Sequence, residues 1–296
     1  MAKSVADFVF SYYLLTLLCL YTTLLYITMS TKFGSRVLVS SIALSAILAC
    51  VSQSTVSCSG NVESPFMTDS VVFERNWSLP QPKENDPLGG RSRFSAKIDY
   101  PKAHQQDSVL ADSVRAWISV ELLPKGEKIL ANRSVLDKAA NIFFGECEGN
   151  EWGEEMDISV RKIFEDADYV TFEADKYTYT GGQHGSYAVS GATFERATGR
   201  RLTWQNIKKS DELRQLITAG IRKDKGEPSD SAFKTMLLID EHEYKASDGS
   251  IMLPLPKANP WLSQRGWVFT YQPYEILPWS QGAPACRLST NQVSMN

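Results

Sequence analysis

The residues best suited to chemistry or ligand contact lie in the segment YTYTGGQHGSY, residues 177–187. Gly181, Gly182 and Gly185 can adopt positive φ angles or allow close backbone approach, because glycine has no Cβ. His184, which these glycines flank, can change its charge near neutral pH or donate to a ligand. No nucleophile motif lies beside it, and a lone histidine is weak evidence for catalysis. The segment predicts first a tight corner between two strands, second a ligand-contacting loop, and only last an active site.

Aromatic residues are concentrated in the C-terminal half of the chain, and several are candidates for ligand contact. Most large rings pack in protein cores, but exposed rings suit stacking on sugars or anchoring a protein partner. An exposed set such as Tyr187, Trp261 and Trp279 would favour a binding surface. The candidate ligand-binding residues are Gly181, Gly182, His184, Tyr187, Tyr274, Glu275 and Trp279.

Carboxylates form a further group of candidates. Acidic runs lie at residues 150–157 and 164–168, and two carboxylates facing each other across a cleft can hydrolyse glycosides. Acidic runs are usually solvated, however, so we assign no catalytic residue. Glu275 differs because it lies among aromatic residues, where burial would require a partner such as Arg201 or His184.

Composition and motif content exclude several classes of function. The chain has 296 residues, of which 43% are hydrophobic and 22% charged, with a formal net charge of -3. This is globular composition, and it lacks the basic surplus of nucleic-acid-binding proteins. The three histidines have no metal-ligand spacing, and no phosphate-binding loop, dinucleotide fingerprint or serine-nucleophile elbow is present. We predict no metal, no cofactor and no nucleic-acid partner.

Residues 1–58 have the pattern of a signal and membrane-anchor region. Residues 8–29 carry no charge and are long enough to cross a bilayer, which takes about 20 apolar residues. Residues 29–50 then have the layout of a secretory signal peptide, with basic residues before a short apolar run and small residues before a cysteine. Either Met29 is the true start of the protein, which is the simpler explanation, or residues 1–28 form a genuine anchor.

The cysteine that follows this apolar run resembles the lipidated position of a bacterial lipobox. Cys50 is the candidate lipidation site, and Cys58 is the alternative. Both interpretations of the N-terminus predict an exported protein held at the membrane of the cell envelope, because several acyl chains anchor stably. Of the remaining cysteines, Cys147 and Cys286 could pair in an oxidising compartment or remain as free buried thiols.

Hydrophobic periodicity predicts the elements that position these candidates. Helical spacing occurs at 107–123, 134–147 and 210–224, the last with Ser210 as its N-cap. Alternating patterns predict strands on both sides of residues 180–185. The order of elements predicts an α+β fold, an antiparallel sheet with helices packed mainly on one face.

Two local irregularities accompany these strands. The apolar phase changes along residues 167–180, which predicts a β-bulge near Asp175. Residues 266–276 read as one strand with Pro273 at its centre, which places that strand at a sheet edge or gives it a bulge.

Three segments together resemble a known family. YTYTGGQHGSY, ATGRRLTWQNI at residues 197–207 and FTYQPYEILPWSQG at residues 269–282 occur in the order found in RsiV-like domains, the DUF3298 family. The preceding half is similar to the DUF4163 region of PdaC-like proteins. This chain departs from the family at Gln183, where an alanine is common, and at residues 278–280, where PYA is common.

The resemblance implies a domain organisation and a function. Relatives include an anti-sigma factor whose extracellular part binds lysozyme, a region attached to a peptidoglycan deacetylase, and exported lipoproteins. No catalytic residues are established for the domain. We expect an envelope lipoprotein whose non-catalytic domain binds a lysozyme-like protein or cell-wall glycan, with an enzyme acting on peptidoglycan or other carbohydrate as the alternative. The expected parts are a signal and anchor region (1–58), a tether and first strand (59–90), a PdaC-like half (91–175) and an RsiV-like half (176–296), the two halves forming one compact unit.

Overall fold

A five-stranded sheet organises the first half of the computed structural model, which describes residues 64–102, 108–122 and 133–296. The signal and anchor region, with Met29, Cys50 and Cys58, lies outside these residues, and so does position 107, where the first helix was expected to begin. The sheet contains β1 (Thr68–Ser78), β2 (Arg91–Pro101), β3 (Glu155–Glu165), β4 (Tyr169–Tyr179) and β5 (Ser186–Glu195).

The strands of this sheet lie side by side in chain order. All neighbours are antiparallel except β2 and β3, which are parallel. A parallel pair needs a long crossover connection, and two helices supply it here, α1 (Ser108–Leu122) and α2 (Arg133–Glu146). The mixed α+β class is confirmed, with the sheet mostly rather than wholly antiparallel.

The two helices cover one face of the sheet, and the alternation along β2 shows why. Phe94, Ala96 and Ile98 share one face and are buried, whereas the residues between them are exposed or half-buried. Val114 and Ile118 lie one helical turn apart on α1 and are buried in the same cluster. The helices pack mainly on one face because apolar side chains at every second strand position meet the apolar stripe that recurs every 3.6 residues along the helices.

A smaller sheet forms a second core. Its antiparallel strands are β6 (Trp261–Ser263), β7 (Gly266–Thr270) and β8 (Ala285–Leu288). Helix α3 (Asp211–Asp224) begins at the predicted cap, since the Ser210 hydroxyl accepts from the Leu213 amide at 3.2 Å. Two short helices follow, α4 (Asp230–Met236) and α5 (Glu241–Tyr244).

The smaller sheet packs on the face of the larger sheet that the helices leave open. The indole of Trp261 is 1% exposed and lies on Gly191, where a Cβ would come within 2.1 Å of the ring. Beside it, the Leu262 amide donates to the Thr193 hydroxyl at 2.8 Å. Trp261 therefore belongs to the join between the sheets and not to an exposed aromatic set.

Two predicted features of the strands are wrong. β4 pairs with β5 without interruption past Asp175, and the register shift of this sheet lies on β3, between Lys162 and Phe164. The apolar phase changes along β4 because both of its faces are covered: Phe172 faces the helices, while Thr171 is buried on the opposite face. β7 ends at Thr270, before the proline that the sequence placed inside a strand.

The two body cysteines are free and buried in separate cores. Burial, with the nearby charge of Glu154, raises the pKa of Cys147 to about 12. Burial raises the pKa of Cys286 to about 11. Both thiols are therefore protonated near neutral pH, and a protonated thiol is a poor nucleophile.

An ion cluster fixes the beginning of the described chain to the larger sheet. The Arg196 guanidinium lies 2.6 Å from the Glu165 carboxylate and also donates to the Ser64 carbonyl. Lys162 bonds both Glu165 and the Phe66 carbonyl. Burial alone would raise the pKa of Glu165, but hydrogen bonds from Lys162 and the Phe66 amide, with the two cationic charges, lower it below its ordinary value.

Replacing Arg196 with Met is expected to lower the free energy of unfolding by about 2 kcal/mol, because Glu165 stays largely buried and loses one cationic partner. Chemical denaturation followed by tryptophan fluorescence measures this. The matched control is Arg200→Met, which breaks the exposed pair with Glu195 and should change stability little. Equal losses in the two variants would contradict the role of the cluster.

The same cluster gives a pH dependence of known sign. Because folding lowers the pKa of Glu165, its stabilising contribution is present above its ordinary value of 4.5 and lost as the pH falls through the folded-state pKa. The stability difference between the wild type and Glu165→Gln should therefore shrink on acidification below about pH 4.5.

Candidate functional site

The segment 180–185 forms the corner that joins β4 to β5. Gly181 and Gly182 have φ angles of 89° and 92°, where residues with a Cβ are strained. The Tyr179 hydroxyl donates to the Gly182 carbonyl at 3.0 Å and ties the corner to β4. A Cβ on Gly185 would come within 2.4 Å of the Tyr177 ring, so this glycine allows the ring to lie against the backbone.

His184 projects from this corner and is exposed. Its Nδ1 lies 2.9 Å from the Gly185 carbonyl, which can only accept, so Nδ1 carries a proton. Its Nε2 lies 3.3 Å from the hydroxyl of Tyr274, 90 residues further along the chain. The imidazole also stacks on the Trp279 indole, with ring centroids 4.3 Å apart and planes inclined by 21°.

These contacts assemble an aromatic patch, made of Tyr177, His184, Tyr187, Tyr274 and Trp279. Tyr187 makes an edge-on contact with Trp279 at 6.5 Å, and Tyr177 lies directly opposite Tyr187 on the neighbouring strand. Tyr177 is 36% exposed and Tyr274 is 57% exposed. Four of the five were candidates from sequence, and the structure brings them together from two distant segments.

Tyr274 occupies an unfavourable backbone conformation. Its φ is 68°, and the Glu275 amide donates to the Gln272 carbonyl at 3.0 Å, closing a four-residue turn with Pro273 second. Proline second and a positive φ third is the pattern of a type II turn, which normally has glycine third. A side chain there costs about 1–2 kcal/mol, so Tyr274 is held outward against its backbone preference.

Glu275 stabilises this turn and does not pair with Arg201 or His184, as the sequence suggested. One carboxylate oxygen accepts from the Gln272 amide at 2.8 Å and the other from the Lys257 amide at 2.7 Å. Arg201 instead donates to the Gly191 carbonyl. The pairing hypothesis assumed a buried strand residue, whereas Glu275 lies in a turn and satisfies one amide of that turn and one amide of the separate segment at Lys257.

Two residues near the corner were missed as site candidates. Tyr177 belongs to the patch, although its alternation within β4 gave it the appearance of an ordinary strand residue. Trp152 is 39% exposed, and its Cβ lies 3.7 Å from where a Cβ on Gly181 would be. Trp152 lies in an acidic loop, and no local pattern there indicates that it reaches the corner.

A shallow groove of about 210 Å³ lies beside the patch, on the face of the larger sheet opposite α1 and α2. Asp157, Ser159 and Asp175 line it together with the two strand tyrosines of the patch, and residues Lys176 and Ala188 complete the lining. Asp157 is exposed, while Asp175 accepts from Arg161 at 3.0 Å.

The carboxylates of Glu173 and Asp175, beside this groove, are not arranged as a hydrolytic pair. Glu173 and Asp175 alternate along one strand, and the guanidinium of Arg161 bonds both. Burial, and then the charge of Asp175, raises the pKa of Glu173. The pair shares one cation on one surface and does not face across a cleft, which is the geometry that glycoside hydrolysis requires.

Two further properties concern the described ranges only. Within them, no three or more histidine, cysteine, aspartate or glutamate side chains converge as a metal site would require. None of the helices found there combines the length and apolar character needed to span a bilayer.

The solved structures with a similar fold include two of DUF3298 family proteins. The one from Bacteroides fragilis aligns with a TM-score of 0.56 and 20% identity, covering 75% of this chain and 90% of that chain. The one from Pseudomonas aeruginosa aligns with a TM-score of 0.52 and 13% identity, covering 77% of this chain and 93% of that chain. No sequence-family profile and no curated protein sequence matches the chain. At this identity the likeness shows the fold, which is that of these DUF3298 proteins.

Replacing Gly185 with Ala is expected to displace the Tyr177 ring and lower the free energy of unfolding by about 1 kcal/mol. In a Tyr177→Ala background the same change should cost much less, because the added methyl group no longer meets the ring. Gly145→Ala on α2 is the control, since a Cβ there meets nothing within 4 Å. Denaturant titration of the four variants checks this, and a cost independent of Tyr177 would contradict the contact.

Proposed function

We propose that the protein belongs to the DUF3298 family and acts as a non-catalytic binding domain outside the cytoplasm, held at the membrane of the cell envelope. The aromatic patch is the observation that carries this proposal. Exposed tyrosine and tryptophan side chains dominate binding surfaces, since they offer large contact area at low cost in conformational entropy. The fold likeness and the three sequence motifs support the family assignment.

The backbone at Tyr274 supports a binding role for the patch. Strained residues persist where the surroundings hold them, and they cluster at functional sites. Here the surroundings are specific, because the Glu275 carboxylate bonds two backbone amides and the next residues, Ile276 and Leu277, are buried in the second core. A glycine would adopt this turn without strain. The cost of the strained backbone is therefore tolerated for the sake of the tyrosine ring.

Binding is favoured over catalysis by the bonds that His184 makes. Its Nδ1–H donates to the Gly185 carbonyl, and its Nε2 lies at hydrogen-bond distance from the Tyr274 hydroxyl. Among the described residues, no serine, threonine or cysteine side chain is hydrogen-bonded to the ring, whose hydroxyl partner is the Tyr274 phenol. The family resemblance supplies two candidate partners, a lysozyme-like protein and cell-wall glycan.

Replacing Tyr274 with Gly is expected to separate stability from binding. The free energy of unfolding of the variant should be up to about 1 kcal/mol higher than that of the wild type, because glycine adopts the positive φ without strain. Its retention of the bound partner should fall at least tenfold, measured by pull-down of the full-length chain with lysozyme and with purified peptidoglycan.

Tyr274→Ala is the matched variant, since it also removes the ring but keeps the strained backbone. It should lose binding equally and gain no stability. Undiminished binding in both variants, or a wild type that retains neither partner, would contradict the proposal.

Attachment to the membrane is proposed from the sequence pattern alone. Cys50→Ser should abolish incorporation of labelled palmitate when the chain is expressed in a bacterium with lipoprotein processing, whereas Cys58→Ser should leave it unchanged. The label is a better readout than membrane fractionation, because an uncleaved apolar segment would also sediment with the membrane. Loss of label only in Cys58→Ser would move the site to that residue, and an unlabelled wild type would contradict lipidation.

A further inference from the structure

We infer that the groove beside the aromatic patch binds one pyranose unit of a neutral glycan, with neighbouring units following the patch toward Tyr274. This inference rests on the proposed binding function and names the class of ligand for that surface. It is carried by the ring arrangement, the acceptor groups among the lining residues and the size of the groove.

The ring arrangement supplies an apolar platform. Tyr177 and Tyr187 are directly paired across β4 and β5, so their side chains emerge on the same sheet face with Cβ atoms about 5 Å apart. The edge-on contact of Tyr187 with Trp279 and the stack of Trp279 on His184 continue the rings to the corner. A line of partly exposed rings therefore leads from the groove to Tyr274. The C–H face of a pyranose is apolar and suits such rings.

The lining is mainly apolar, and most of its polar side chains are acceptors. Asp157 and Asp175 contribute carboxylates and Ser159 a hydroxyl, while Lys176 is the cation among the lining residues. A ligand with several O–H donors and no negative charge satisfies this set. Asp175 is already paired with Arg161, but a polyanion would still meet the exposed Asp157 carboxylate of its own sign, so anionic polymers are disfavoured.

The carboxylates also favour a sugar over a protein surface as the occupant. Charged residues, aspartate included, are depleted at the centre of protein–protein interfaces, where burial leaves them without water. A sugar supplies its own hydroxyl groups to these oxygens. The volume of about 210 Å³ is below the roughly 300–1,000 Å³ of pockets for drug-sized ligands and fits a single ring.

Calorimetric titration of the full-length chain in detergent tests the inference, with chitotetraose and cellotetraose as neutral ligands and tetragalacturonate as the anionic comparison. We expect the neutral sugars to bind and the anionic one to bind at least tenfold more weakly. Tyr177→Ala should weaken binding about tenfold, while Tyr177→Phe, which keeps the ring on Gly185, should retain it. Asp157→Asn should weaken binding about threefold, and Asp137→Asn, an exposed aspartate on α2, should have no effect.

The outcomes separate this inference from the proposed function. Tyr274-dependent retention of lysozyme without any neutral sugar binding would overturn the inference and leave the binding function standing. Sugar binding that is unchanged in Tyr177→Ala, or a preference for tetragalacturonate, would also overturn it. Absence of both lysozyme and glycan binding would overturn the function and the inference together.

Discussion

The site depends on the contact between the Trp261 indole and Gly191. Any side chain at position 191 would occupy the space of the indole, since even a Cβ would come within 2.1 Å of it. Because this position is a glycine, the smaller sheet can approach the larger one closely enough for Leu262 to bond Thr193. The patch takes its rings from β4, β5 and their corner and from the connection between β7 and β8, so it exists only while the two sheets are held together. The packing of one buried tryptophan thus positions a surface far from it in sequence.

The same join closes the outer edge of β5. The side-chain amide of Gln272 donates to the Val189 carbonyl at 2.7 Å and accepts from its amide at 3.1 Å, as a neighbouring strand would. The Arg201 guanidinium donates to the Gly191 carbonyl on the same edge. An open edge invites pairing with another chain, and side chains occupy this one instead. The turn that carries Tyr274 begins at this same Gln272, so edge protection and presentation of the ring share one residue.

Features set by local sequence could be predicted, and features set by packing could not. The corner at 180–185 follows from its glycines, and the start of α3 from the Ser210 cap, because each is decided within a few residues. The burial of Trp261 and the absence of a bulge near Asp175 depend on a second layer over the sheet, which no local pattern encodes. The turn at Tyr274 lies between these cases. Pro273 indicates an irregularity at this point of the chain, but a positive φ at a tyrosine runs against the residue preferences of such turns.

If the preceding residues are attached to a membrane, the ion cluster at the start of the described chain lies where a pulling force would enter the fold. A partner pulling on the patch would stretch the polypeptide between its two attachments, and the load would enter the fold at Ser64 and Phe66. The bonds to Arg196 and Lys162 precede β1 along the chain, so such a load would reach them before the strand pairing of β1. Resistance to force is set by the rate of unfolding and not by equilibrium stability. In a chain anchored in this way, these two cations would take up the load before it reached the edge strand of the sheet.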